Sequence, residues 1–115
     1  MAKFWLILII CVLGYGATLV FLQRKMMYLP TQYNEQALQL IDTLTPLEYQ
    51  LADNKQVAYY KPPRKGSQKD PKNIWVIFGG NASVALAWLN LVSQYPDDYT
   101  AFLLVDYPGY GQNEG

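Results

Sequence analysis

The sequence predicts an α/β protein carried behind a single membrane-spanning helix, on three observations. Phe4 to Leu22 runs nineteen residues without a charge. Ile74 to Phe78 and Ala101 to Val105 are unbroken apolar runs, each followed by a glycine-containing turn. Between them lies a segment with helical spacing, so strand, helix and strand follow in the order of a βαβ unit. The division this implies is an anchor over 1–25, a linker with a short amphipathic helix over 26–46, and a partial α/β domain over 47–115.

The anchor comes first. At a rise of 1.5 Å per residue, Phe4 to Leu22 spans about 28 Å, close to the hydrocarbon thickness of a bilayer. Lys3 precedes it and Arg24 and Lys25 follow it, while Trp5 and Tyr28 lie near the ends, where aromatic rings favour the interface. A cleaved signal peptide is the rival reading, because Gly14-Tyr15-Gly16 offers small residues at the required spacing. The apolar run continues through Leu19 to Leu22 beyond that point, which favours an uncleaved anchor over a signal peptide. A buried helix of a soluble protein is the third possibility, and an uncharged run at the extreme N-terminus argues against it. The amino terminus and Lys3 balance Arg24 and Lys25, so charge gives no clear orientation. The soluble part is expected outside the cytoplasm.

Composition narrows the rest. Of the 115 residues about 90 lie beyond the anchor, enough for one small domain with a modest core. Nine basic and nine acidic side chains leave a formal charge of zero, which gives no footprint for nucleic acid. Cys11 is the only cysteine, so neither an intrachain disulfide nor a cysteine-based zinc site can form. Histidine is absent, which removes the commonest general base and the commonest metal ligand together. No metal or cofactor is expected.

Beyond Pro30, Asn34 to Leu44 places Ala37, Leu38, Leu40, Ile41 and Leu44 at three- and four-residue spacing, which predicts a short amphipathic helix that Pro46 stops. Leu47 to Leu51 and Gln56 to Lys61 read as strands of a hairpin joined by Ala52-Asp53-Asn54-Lys55. Pro62 to Asn73 is a polar surface loop whose basic residues are expected to serve solvation. Ile74 to Phe78 lacks period 2, as a strand buried on both faces of a parallel sheet does. Ala82 to Tyr95 is helical in pattern, with Leu86, Leu89, Val92, Trp88 and Tyr95 on the packing side. Pro96-Asp97-Asp98 is a turn, and Ala101 to Val105 is the second strand of the unit.

Both glycine-containing turns fall at the C-terminal ends of parallel strands, the edge where open α/β sheets bind ligands. Nucleotide binding is excluded first. No Gly-x4-Gly-Lys-Ser/Thr string exists, Gly79-Gly80 lacks the third glycine of a dinucleotide fingerprint, and Asp106-Tyr107-Pro108-Gly109 has an Asp-x-x-Gly form without the phosphate loop that would give it meaning. An oxyanion hole is the second possibility. A strand ending in Gly79-Gly80-Asn81-Ala82 before a helix offers backbone N–H groups, and the helix dipole favours negative charge there. A plain strand-to-helix turn that needs small residues accounts for the same string. Asn81-Ala82-Ser83 also fits a glycosylation sequon, which a tight turn disfavours.

Taken together, Phe78-Gly79-Gly80-Asn81-Ala82 and Asp106-Tyr107-Pro108-Gly109-Tyr110-Gly111-Gln112-Asn113-Glu114-Gly115 resemble the opening of a serine hydrolase of the α/β-hydrolase fold, and within it the membrane-anchored Bem46-like group. In that group a strand runs into His-Gly-Asn-Ala, and the next ends in Asp-Tyr-Arg-Gly-Tyr-Gly-x-Ser-x-Gly. An N-terminal anchor and a leading antiparallel hairpin also belong to it. Gly79 stands where the group has histidine, Pro108 where it has arginine, and Asn113 where it has serine. The resemblance implies that the backbone N–H of Asn81 is an oxyanion donor. Gly79, Gly80, Ala82, Asp106, Gly109 and Gly111 would form the supporting turns, with Asp106 structural rather than the triad acid.

Such hydrolases carry their nucleophile on a Gly-x-Ser-x-Gly elbow, followed by an acid and a histidine. These 115 residues hold no elbow and no histidine, so no catalytic residue is nominated. The expectation is the N-terminal part of a membrane-anchored hydrolase of esters, thioesters or amides, ending before the elbow and inactive alone. Its partners would be the bilayer and, once the chain is completed, a small acyl substrate. A non-catalytic membrane-tethered interaction protein is the alternative, and a secreted binding module the third. Two parallel strands with one helix leave apolar edges, so Trp75, Phe78, Phe102 and Leu104 are expected to lack much of their core unless more chain or a partner completes the sheet.

Overall fold

Ala2–Met27 forms one continuous helix, α1, in a computed structural model that describes residues 1–115. None of its residues is buried against the rest of these 115 residues, and it is long and apolar enough to cross a membrane. Twenty-six residues give about 39 Å of helix. The molecule accordingly measures 78 × 32 × 26 Å, with α1 projecting from the remainder. Arg24 and Lys25 in its last turn complement the dipole.

The linker helix, α2, spans Glu35–Ile41. Asn34 caps it, its side chain accepting the Ala37 N–H at 2.8 Å. It ends three residues earlier than the apolar spacing predicts. Thr43 and Leu44 N–H groups turn back onto Leu40 and Ile41, and Thr45 is already paired with Tyr60. Leu44 is nonetheless buried, and Ala37 and Ile41 pack on the core.

Strands β1 (Thr45–Leu51) and β2 (Asn54–Lys61) form an antiparallel hairpin closed by Ala52 and Asp53 alone. The four-residue connection expected from sequence is therefore two residues shorter, made possible by Ala52 at φ 53°. Pro46 lies inside β1, where the missing N–H does no harm because β1 is an edge strand. Strands β3 (Asn73–Phe78) and β4 (Thr100–Val105) run parallel, and the sheet order is β1-β2-β4-β3 with β2 antiparallel to β4. The fold is thus a mixed four-stranded sheet with helices, of the α/β class.

The segment between β3 and β4 departs from expectation. In place of one helix over Ala82 to Tyr95 there is a 3₁₀ turn, Ala85–Trp88, and a five-residue helix, α3, over Leu89–Ser93. Ala82 adopts φ 56°, which breaks any helix begun before it. Leu86, Leu89 and Val92 pack on the core as their spacing predicts, with Tyr95 against it, but Trp88 is 43 % exposed.

Register divides the sheet into two unlike faces. Tyr59, Phe102, Leu104, Trp75 and Ile77 share the face that α2, the 3₁₀ turn and α3 cover, where Leu104 is fully buried and Phe102 nearly so. Leu47, Ala58, Tyr60, Leu103, Val105, Ile74, Val76 and Phe78 share the opposite face, over which no helix lies. Two expectations are corrected by this order. Phe102 and Leu104 do not lack a core, because β2 pairs with β4 and makes it an inner strand. Ile74 to Phe78 is not buried on both faces but forms the edge strand, with Ile74, Trp75, Val76 and Phe78 all about half exposed. The loop Pro62 to Asn73 also does more than solvate: Arg64 and Lys65 pair with Asp98 at 2.7 and 2.8 Å, and Arg64 donates to the Ser93 and Tyr95 carbonyls.

Candidate functional site

Because β3 and β4 are parallel, their following turns meet at one end of the sheet. The Gly79 N–H extends the ladder by one bond, to the Val105 carbonyl at 3.3 Å. The chain then doubles back through Gly80-Asn81-Ala82-Ser83, with Ser83 N–H on the Gly80 carbonyl at 3.2 Å. A Cβ on Gly79 would come within 3.0 Å of the Ser83 carbonyl oxygen, so the turn has closed into the space a larger residue needs. The N–H groups of Gly80, Asn81 and Ala82 make no hydrogen bond within the chain. Ala82, the last of the three, holds a positive φ, a conformation that costs a non-glycine residue about 1–2 kcal/mol and that clusters at functional sites. The Asn81 side chain is fixed, its Oδ1 accepting from the Leu29 N–H and the Tyr110 hydroxyl, each at 3.0 Å.

The sequence reading places a helix N-terminus behind these amides, and here it is corrected. The first helical turn starts at Ala85, and its N–H is already taken by Asp106 Oδ1 at 2.6 Å. The dipole of that turn therefore faces a buried carboxylate of the protein itself. Asp106 sits at the end of β4 and is 3 % exposed. Its Oδ2 accepts from the Tyr33 hydroxyl, and its backbone carbonyl accepts from Asn113 Nδ2 at 2.8 Å. Asn113 Oδ1 in turn accepts the Val57 N–H at 2.7 Å, tying the turn to β2. Gly109 and Gly111 take φ of 82° and 59°. At Gly111 a Cβ would lie 2.6 Å from Asp106 Oδ2 and 2.8 Å from the Tyr33 ring, so only glycine lets these three meet.

A third element completes the edge, and the sequence reading missed it. The chain leaving α1 runs straight along both turns. Leu29 N–H binds Asn81, the Thr31 carbonyl accepts the Gly111 N–H at 2.8 Å, Gln32 Nε2 donates to the Gly109 carbonyl at 3.0 Å, and Tyr33 reaches Asp106. Gln32 and Gly111 form an isolated parallel bridge. Burial, reinforced by the Asp106 carboxylate, holds the Tyr33 phenol protonated well above its ordinary range. Tyr59, whose ring lies 6.1 Å from that of Tyr33, is shifted the same way by burial and then by Asp106. Nothing local in Leu29-Pro30-Thr31-Gln32-Tyr33 announces this role, since every partner is more than fifty residues away.

The three segments border an open cavity of about 490 Å³ lined by Met27, Tyr28, Asn81, Tyr107, Pro108 and Tyr110. Its walls are mainly apolar, with the Asn81 amide and tyrosine hydroxyls as the polar groups. No histidine, cysteine or unpaired carboxylate faces it, and no group of three His, Cys, Asp or Glu comes together to hold a metal. The polar groups at this edge are the unbonded backbone N–H groups of the glycine turn, the Asn81 amide and the tyrosine hydroxyls. Gly79, Gly80, Asn81 and Ala82 form one turn, Asp106, Gly109 and Gly111 the other, and Asp106 joins them. Comparison of the chain with protein-family models, curated proteins and solved structures finds no match.

Proposed function

We propose that this chain is the membrane-anchored opening of a serine hydrolase of the α/β-hydrolase fold, acting on esters, thioesters or amides. The observation that carries the reading is the run of free N–H groups at Gly80, Asn81 and Ala82, held in a strained turn at the end of a parallel strand. In acyl transfer the carbonyl oxygen gains negative charge as the nucleophile adds, and preorganised backbone donors are what stabilise it. Asn81 N–H is the donor the resemblance carries over. Asp106 holds the two turns in register and takes no part in proton transfer. The leading hairpin and the parallel β3–β4 pair with its intervening helix support the same reading. So does the helix-free apolar face of the sheet, since α/β sheets are covered on both sides. The nucleophile, acid and histidine would come from residues outside these 115. In this reading α1 stays uncleaved in the bilayer and the sheet lies outside the cytoplasm.

The test is the coding sequence beyond the Gly115 codon, together with the native membrane product. A frame that encodes Gly-x-Ser-x-Gly and later a histidine is expected, with a product that reacts covalently with a fluorophosphonate. A stop with neither motif and no labelling overturns the hydrolase and leaves a non-catalytic tethered protein. That second reading is favoured by one observation, the absence of any histidine from the chain as it stands.

A further inference from the structure

We infer that the cavity at the sheet edge takes the hydrocarbon chain of a lipid drawn from the bilayer leaflet at the C-terminal end of α1. This rests on the acyl-handling reading of the edge and names its substrate class as membrane acyl lipids. The first argument is connectivity. Met27 is the last residue of α1, and with Tyr28 it forms one wall of the cavity. No slack chain separates anchor from site, since Leu29, Thr31, Gln32 and Tyr33 are each hydrogen-bonded to the two turns. The second argument is depth. Leu22, the last of the apolar run, and Met27 are five helical steps apart, a rise of about 7.5 Å, comparable with the headgroup layer on one side of a bilayer. With Arg24 and Lys25 at the headgroups, the cavity mouth lies in that layer.

The third argument is chemistry. Four of the six lining residues are hydrophobic, and the volume is in the range of small-molecule sites. Met26, Met27, Tyr28 and Leu29 continue outward from the basic pair as an apolar, half- to two-thirds-exposed surface between the headgroups and the cavity. A water-soluble ester gains nothing from such an approach. An acyl chain that clears Gln23, Arg24 and Lys25 meets apolar surface from Met26 up to the cavity, which Asn81 of the glycine turn borders.

The full chain is reconstituted in phosphatidylcholine vesicles that include a phosphatidylcholine with a diazirine at the end of one acyl chain. In an undisturbed bilayer that group sits near the midplane and labels only residues of the Phe4 to Leu22 span. Photolysis is expected to label the Tyr107–Tyr110 peptide as well, which a chain end reaches only by being withdrawn into the cavity. Insertion of ten Gly/Ser residues between Tyr28 and Leu29 is expected to reduce that label at least fivefold while labelling of α1 is unchanged. Label confined to α1 in the wild type overturns the inference, and so does equal Tyr107–Tyr110 label in the insertion variant. The readout needs no turnover, so a missing serine elbow in the downstream frame would remove the hydrolase and leave the lipid site standing.

Discussion

Both faces of the sheet carry apolar rows in sequence, and the two are unequal in structure. On one, Tyr59, Phe102 and Leu104 are buried under α2, the 3₁₀ turn and α3, with Ile77 partly buried beside them. On the other, Val105, Leu103, Val76 and Ile74 stand with no helix above them, and β3 shows both its side chains and its outer edge to solvent. The contrast says where the stability of the soluble part resides. It comes from one layer of helices and from the Asp106 junction at the end of that layer. The bare face contributes little until something lies on it.

Substitutions on the covered side should break this arrangement with the largest effects. Leu104→Ala removes a side chain with no exposure and leaves a cavity, a loss of about 4 kcal/mol. Unfolding of the full chain in detergent micelles by urea, followed by tryptophan fluorescence, is expected to lose its cooperative transition at low urea. A midpoint within 0.5 M of wild type would mean that the helices do not cover β4 in solution. Next in size is Asp106→Ala. It leaves the Ala85 N–H and the Tyr33 hydroxyl without an acceptor, for a loss of about 3 kcal/mol, with Asp106→Asn restoring part of it. Gly111→Ala follows at about 2 kcal/mol, since it places a methyl group against both Asp106 and Tyr33 at a backbone conformation alanine resists. If Gly111→Ala were as stable as wild type, the turn would not be held against Tyr33 at all.

How much of this could be read in advance depends on range. The apolar run of α1 and the two pentapeptides Ile74–Phe78 and Ala101–Val105 announce themselves, because each is set by its own residues and the medium around them. The parallel β3–β4 pair and the hairpin followed from spacing. The burial of β3 did not, because an unbroken apolar run says that a strand wants two covered faces, not that it has them. The helix over Ala82 to Tyr95 was over-read for a similar reason. Its spacing fits, but the buried Asp106 carboxylate captures the Ala85 N–H and fixes the start there. Of the candidate site, the two turns were legible as glycine strings, and Asp106 as the residue between strand and turn. Tyr33 and the Leu29–Gln32 strap were not, because their partners are far away in sequence and no local pattern marks them.

The Tyr33–Asp106 bond makes the covered side sensitive to alkali. Folding favours the neutral phenol, so above the ordinary tyrosine value near pH 10 the native state keeps a proton that the unfolded chain has lost. The unfolded state then binds fewer protons, and stability falls as pH rises past about 10. It is fully present below that range. Tyr33→Phe should cost about 1 kcal/mol at neutral pH, through the unpaired carboxylate oxygen, and should flatten the alkaline decline. The check is the urea midpoint of both chains between pH 8 and 11, in which the other titrating groups cancel. Equal slopes would place the Tyr33 hydroxyl in solvent rather than on Asp106.

The smallest effect on stability is expected on the bare face, and it sharpens the contrast most. Val76 is half exposed at mid-strand in β3, with Ile74 beside it on the same side. Replacing Ile74 by Lys and Val76 by Thr removes apolar surface that is already in contact with water, and threonine keeps the strand preference of valine. Folding stability should therefore change by less than about 0.5 kcal/mol. Association should not stay the same. An uncovered edge strand with apolar side chains on both faces pairs readily with another chain, and a lysine on such an edge is a means by which natural sheets prevent it. The double variant should remain monomeric in micelles at concentrations where wild type forms larger species, as read by sedimentation velocity. If the variant loses as much stability as Leu104→Ala, the face is covered in solution and the asymmetry of the sheet disappears. If stability and association are both unchanged, the exposed edge is not what drives self-association, and the bare face is tolerated as it stands.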